Sequence, residues 1–197
     1  VAVLGIVITA FGAWMLVRLG PSGEAHFSVT AKSPGALVVS SDVLNRTDVP
    51  VRVTATRRDG GAIWLAAAAS AEARANLATS RVSTVGDIST LRYLAGTLDL
   101  RASGVGAPTD LSTADVWRLS ARGAGSADLV VDQGNGPETA VVTSGDGTAL
   151  TNVTMTLTWA DRTWFFLSVA LAMIGAVVAV FALSFLWQGR AVEGRTT

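Results

Sequence analysis

The chain has 197 residues, of which 50% are hydrophobic and only 15% charged, with 15 basic side chains balancing 15 acidic ones. No run of basic residues exists to build an electrostatic surface for nucleic acid, so no nucleic-acid partner is expected. The absence of cysteine excludes disulfides, thiolate metal sites and a cysteine nucleophile.

Val1 to Val17 is apolar apart from Thr9 and is closed by Arg18 and then Gly20-Pro21. Its 17 residues lie at the lower end of the roughly 17–25 needed to cross a bilayer. The rival reading is a signal peptide, which would end in a small-x-small cleavage site, and no convincing one follows. The expectation is therefore a first transmembrane helix over residues 1–18, with Trp14 at a membrane interface.

Residues 19–162 carry 12 basic and 14 acidic side chains, a net of −2, and are expected to form one β-rich domain. Strand patterns run over Glu24 to Lys32, Ala36 to Ser40, Val49 to Arg57 and Ala62 to Ala68. Asp59-Gly60-Gly61 between the last two predicts a β-hairpin. Ser70 then precedes a short helix through Ala78, with Glu72 near its positive end. Arg81 to Val85 and Leu94 to Leu100 are weaker strand candidates, and Gly104 to Asp110 reads as an exposed loop. Four more candidates follow: Val116 to Ala121, Ala127 to Asp132, Thr139 to Thr143 and Ala149 to Thr158. Gly123-Ala124-Gly125, Gly134-Asn135-Gly136 and Gly145-Asp146-Gly147 separate them, a spacing that suggests an antiparallel meander. The fold class expected is a mainly β, antiparallel sandwich-like domain flanked by two transmembrane helices.

Thr163 to Trp187 runs 25 residues without a charged side chain. At about 1.5 Å per residue it reaches roughly 37 Å, enough for a hydrocarbon core of about 30 Å. A soluble helix of that length would keep a polar face, and this one has none. Residues 163–187 are thus read as the second transmembrane helix and residues 188–197 as a short cytoplasmic tail. Trp159, Trp164, Phe165, Phe166 and Trp187 are placed at the membrane interfaces. Arg190 and Arg195 against one Glu193 favour a cytoplasmic tail, while Arg18 and Arg162 flank the spans on the other side, in a loop of about 140 residues that is too long for its own charges to count. Long loops between two spans are usually exported, so the central domain is expected outside the cytoplasm in a plasma membrane.

Small residues recur at helical spacing in both segments: Gly5, Thr9 and Gly12 in the first, and Ala172, Ala176 and Ala179 in the second, with Gly175 beside them. Such residues let helix backbones approach closely, either between the two helices of this chain or against helices of another subunit. No charge lies within either segment to carry ions or protons.

No catalytic set emerges. The one histidine, His26, falls on the polar face of the first strand, and Asp99, Asp110 and Asp115 are spread through loop-like sequence. No cofactor, metal site or catalytic residue is assigned. The Asn45-Arg-Thr47 and Asn152-Val-Thr154 triplets match glycosylation acceptors, a common chance pattern.

The stretch VRVTATRRDGGAIWLAAAASAEARANLA, followed by DVWRLSARGAGSADLVVDQGNG, VVTSGDGTA and TWFFL, resembles an uncharacterised family of two-span membrane proteins of high-GC Gram-positive bacteria. The bias to Ala, Val, Gly and Arg, with Lys32 the single lysine, agrees with a high-GC source. The resemblance implies two spans and an exported β-rich domain, and no activity. The function expected is a non-enzymatic accessory or scaffold subunit of a membrane or envelope complex, with lipid and other membrane subunits as partners. The alternative is a membrane-anchored sensor or ligand-binding module for an envelope component.

Overall fold

The computed structural model describes residues 1–32, 34–86, 95–106, 110–132, 134, 136–144, 148, 150 and 152–193. In chain order, α1 (Ala2–Leu19) is followed by β1 (Glu24–Ala31), β2 (Ala36–Val39), a short α2 (Ser41–Leu44), β3 (Val51–Arg57) and β4 (Ala62–Ala69). Then come α3 (Ser70–Leu77), β5 (Val82–Val85), β6 (Ala95–Thr97), β7 (Leu100–Ser103) and a 3-10 turn at Leu111–Thr113. The chain ends with β8 (Leu119–Ala124), β9 (Ser126–Val131), β10 (Glu138–Thr143), β11 (Val153–Ala160) and α4 (Arg162–Glu193). These elements fall into two units, Ala25–Ala160 and the combination of Val1–Glu24 with Asp161–Thr197.

The unit Ala25–Ala160 holds two sheets, ordered β6-β1-β11-β3-β9 and β7-β5-β2-β10-β4-β8. Pairing is mostly antiparallel, but β1 with β6 and β2 with β5 run parallel, so the sheets are mixed. In the five-stranded sheet, alternation buries Phe27, Val53, Met155, Leu157 and Val131 on one face and leaves serines and threonines on the other. Trp159 belongs to the buried set. It was expected at a membrane interface, yet it is 0% exposed and meets Phe27 edge-on at 5.8 Å. The cause is the period of two along β11, which puts Val153, Met155, Leu157 and Trp159 on one side and Thr154, Thr156 and Thr158 on the other.

The six-stranded sheet is buried on both faces along β2 and β10. Register places Leu37, Val39, Ala140, Val142, Leu65 and Ala67 on one face. The opposite face carries Ala36, Val38, Trp64, Ala66 and Val141, which cluster with Leu77 of α3 and Leu111 of the 3-10 turn. Trp117 closes that cluster, edge-on to Trp64 at 5.1 Å and with its indole N–H donating to the Leu111 carbonyl at 2.7 Å.

Two local expectations are corrected here. β3 and β4 do not pair as a hairpin: β3 sits between β11 and β9 in one sheet, and β4 between β10 and β8 in the other. The Asp59-Gly60-Gly61 turn is a corner crossing from sheet to sheet, because β4 is apolar on both faces and takes a central position where both are covered. Likewise β8, β9, β10 and β11 alternate between sheets instead of forming a meander. The two corners bond each other, with Arg57 N–H donating to Gly125 O (2.8 Å) and Gly125 N–H donating to Gly61 O (2.9 Å).

Boundaries moved as well. The strand expected at Val116 to Ala121 is β8, shifted to Leu119–Ala124, with Gly123 inside it. A Cβ at Gly123 would collide with the Ser126 carbonyl, and Gly125 takes φ +77°, so both glycines serve the β8–β9 corner. The strand expected over Leu94 to Leu100 is two strands, β6 and β7, in different sheets. Leu94, Asn135, the Gly145-Asp146-Gly147 turn and residues 194–197 lie outside the described residues.

The second unit contains α1 and α4, both long and apolar enough to cross a membrane. α4 continues to Glu193, six residues past the Trp187 boundary read from hydropathy. Asp161 caps its start: Oδ1 accepts from the Thr163 N–H at 2.8 Å, and this bonding holds the Asp161 carboxyl below the usual carboxylate range. Gly23 at φ +69° lies so close to the Asp161 carbonyl that a side chain there would clash.

Candidate functional site

Within the helical unit, α1 and α4 pair along the small residues. A Cβ placed on Gly5 would lie 2.5 Å from Ala179 N, and one on Gly12 would lie 2.5 Å from Ala172 N. A Cβ on Gly175 would collide with the backbone of Thr9 and Gly5. Gly5, Thr9, Gly12, Ala172, Gly175 and Ala179 thus form one seam of backbone-to-backbone contact inside the chain. Thr9 donates its hydroxyl to the Gly5 carbonyl at 2.8 Å, which satisfies a polar group without reaching across. Ala176 is not in this seam. It is exposed, because the contact line runs through Ser168, Ala172, Gly175 and Ala179, and position 176 is rotated past it.

Of the remaining aromatic residues singled out at the helix ends, Trp14 is partly buried, stacks on Phe11 at 5.8 Å and carries the Arg18 guanidinium 6.0 Å above its ring. Trp164 and Phe165 are partly buried, whereas Phe166 and Trp187 are 64% and 82% exposed.

In the β unit, the outer face of the five-stranded sheet is a bed of hydroxyls. Thr154 pairs with Thr56, and Thr156 with Thr54, across β11 and β3. Its polar groups are largely tied to one another: Thr30 to Thr154 at 3.1 Å, Thr54 to Asp128 at 2.8 Å, and Arg52 to Asp128 at 2.6 Å. His26 sits on this face, exposed, with Nδ1 3.1 Å from the Thr158 hydroxyl. Asp110 is occupied as a cap, accepting from the Ser112 N–H (3.0 Å) and hydroxyl (2.6 Å). Asp99 and Asp115 are exposed. Among the described residues no group of three or more His, Asp or Glu converges on a point.

Glu138, where the resembled family would carry an aromatic residue before the penultimate strand, has no role legible in the sequence. Its side chain is 5% exposed and grips Arg118 through both carboxylate oxygens, one of them at 2.6 Å from Nη2. Its carboxylate raises the Arg118 guanidinium above its ordinary value.

The β unit holds a polar recess around α2, lined by Ser40, Asp42, Val43, Asn45 and Arg46, and a groove of about 340 Å³ between α3 and the outer face of the six-stranded sheet. Register explains the floor of the groove: Val38, Val82, Thr84, Ser103 and Thr139 point to the same side of β2, β5, β7 and β10. The α3 face supplies Ser70, Arg74, Leu77 and Ala78, and Ser40 and Ser80 complete the rim. Ser70 donates to the Pro137 carbonyl (3.0 Å) and accepts from the Thr139 hydroxyl (3.0 Å), which fixes this end of the groove. Arg74 is exposed, and it takes part in none of the ion pairs among the described residues. Alternation marked Val38 and Thr84 as strand residues, but nothing local showed that α3 would cover that face.

No protein-family model and no curated protein matches this chain. Among solved structures, one of Mud Crab Dicistrovirus overlaps at 10% identity over 74% of this chain and 77% of the other, with a TM-score of 0.26. A flagellar cap protein of Escherichia coli overlaps at 9% identity over 93% and 73%, with a TM-score of 0.24. At such scores neither overlap bears on fold or function.

Proposed function

We propose that this chain is a non-enzymatic, membrane-anchored binding module, with α1 and α4 as its anchor in the plasma membrane and the β unit outside the cytoplasm. One observation carries the reading. The small-residue stripes of α1 and α4 are occupied by each other, and the recess beside them is lined by apolar side chains such as Val177, Phe181 and Phe185, so the β unit is left as the part with a recess that mixes polar and apolar groups. Shape and chemistry support this: the groove falls in the size range of about 300–1,000 Å³ typical of small-ligand sites and mixes an apolar floor with a few polar groups.

The second reading is the accessory or scaffold subunit, favoured by the flat hydroxyl-rich face of the five-stranded sheet, which would suit a polar partner. Mild-detergent purification of the tagged chain from its native membrane, followed by mass spectrometry, separates the two. The binding module is expected to emerge without stoichiometric membrane subunits. Subunits recovered in fixed ratio would overturn it in favour of the scaffold.

A further inference from the structure

Resting on the reading of the β unit as a binding module, we propose that the groove beside α3 binds a small acidic sugar, its carboxylate on Arg74. Arg74 is the one charged side chain lining the groove, and no Asp or Glu lines it among the described residues. A guanidinium without a protein carboxylate presents a planar fork that matches an incoming carboxylate with two parallel hydrogen bonds.

The rest of the lining selects a polyol over a bare anion. Ser40, Ser70, Ser80, Thr84, Ser103 and Thr139 surround the space with hydroxyls; Ser70 and Thr139 already donate their protons, to the Pro137 carbonyl and to Ser70, and offer oxygens as acceptors. Between them Val38, Leu77 and Val82 form an apolar patch suited to the C–H face of a pyranose ring. The volume of about 340 Å³ lies at the low end for ligand sites, which fits a single ring and not a long polymer laid inside the groove. The walls are set before any ligand arrives. Thr139 is 7% exposed and bonded to Ser70, and Gly104 at φ +76° packs so tightly on the Ser80 carbonyl that a side chain there would clash.

The test is isothermal titration of the full chain in phosphatidylcholine nanodiscs with glucuronate, glucose and acetate at neutral pH. Glucuronate is expected to bind at least about tenfold more tightly than either glucose or acetate, since only it engages both the guanidinium and the hydroxyls. Arg74→Gln, a change at an exposed position, is expected to weaken glucuronate to the level of glucose, and Ala78→Trp to block both sugars by filling the groove. Equal binding of glucose and glucuronate, equal binding of acetate, an unchanged Arg74→Gln, or no binding at millimolar concentration would each overturn the proposal. These outcomes are distinct from failure of the parent reading, which the purification reports through the presence of other subunits.

Discussion

Asp59 accepts three hydrogen bonds at the corner between β3 and β4: from Arg57 Nε at 2.9 Å, Arg57 Nη2 at 2.7 Å and the Gly61 N–H at 3.1 Å. The Arg57 side chain is the largest cause, with the Gly61 amide next, and together they bring the carboxyl down to about 2. Because the folded value lies below the unfolded value of about 3.9, the contribution to stability is fully present above that pH and is lost as pH falls toward 2. The carboxylate is exposed to solvent, so the effect belongs to the corner and not to global stability. An NMR titration of Asp59 in detergent micelles should give a midpoint near 2, and Arg57→Gln should move it up to the ordinary carboxylate range. A wild-type midpoint near 4 would show that the clasp is not formed in solution.

At the scale of elements, the two helices and the strands were legible, and the pairing of strands was not. Hydropathy alone marks α1 and α4 as helices long and apolar enough to cross a membrane. Alternation likewise placed β1, β3, β9 and β10 within a residue or two. Turn chemistry misled where it was read as partner choice: Asp59-Gly60-Gly61 reverses the chain, but a reversal serves a hairpin and an inter-sheet corner equally. What decides is that β4 is buried on both faces, a property of where the other strands lie. The seam shows the same limit. Gly5, Gly12, Ala172 and Ala179 were found by spacing and Gly175 only as a neighbour of the stripe, while Ala176 was included because a four-residue step looks continuous on paper. The structure separates them, and so can experiment. Gly12→Leu should destabilise the helix pair by about 1–3 kcal/mol through overpacking, whereas Ala176→Leu at the exposed position should change little. Thermal unfolding of the full chain in one detergent compares them, and equal shifts would contradict the seam.

For the molecule as a whole, the function rests on which compartment holds the β unit, and the chain offers a clean way to ask. The two helices run antiparallel, since Gly5 faces Ala179 while Gly12 faces Ala172, so a hairpin of this kind returns both ends to one side. The segment after the second apolar helix carries Arg190 and Arg195 against Glu193, which favours retention on the cytoplasmic side; Arg18 and Arg162 at the other ends belong to a loop too long for its charges to set the orientation. Residues 25–160 would then lie outside, where a groove for an acidic sugar has access to envelope material. With no native cysteine, a single introduced thiol reports its own surroundings. Glu72→Cys, exposed on α3, should react with a membrane-impermeant maleimide in intact cells, while Thr197→Cys should react only after permeabilisation. The reverse pattern would move the groove into the cytoplasm and remove the envelope ligand with it. Labelling of both in intact cells would mean that the helices do not place the tail and the β unit on opposite sides, and the anchor itself would have to be redrawn.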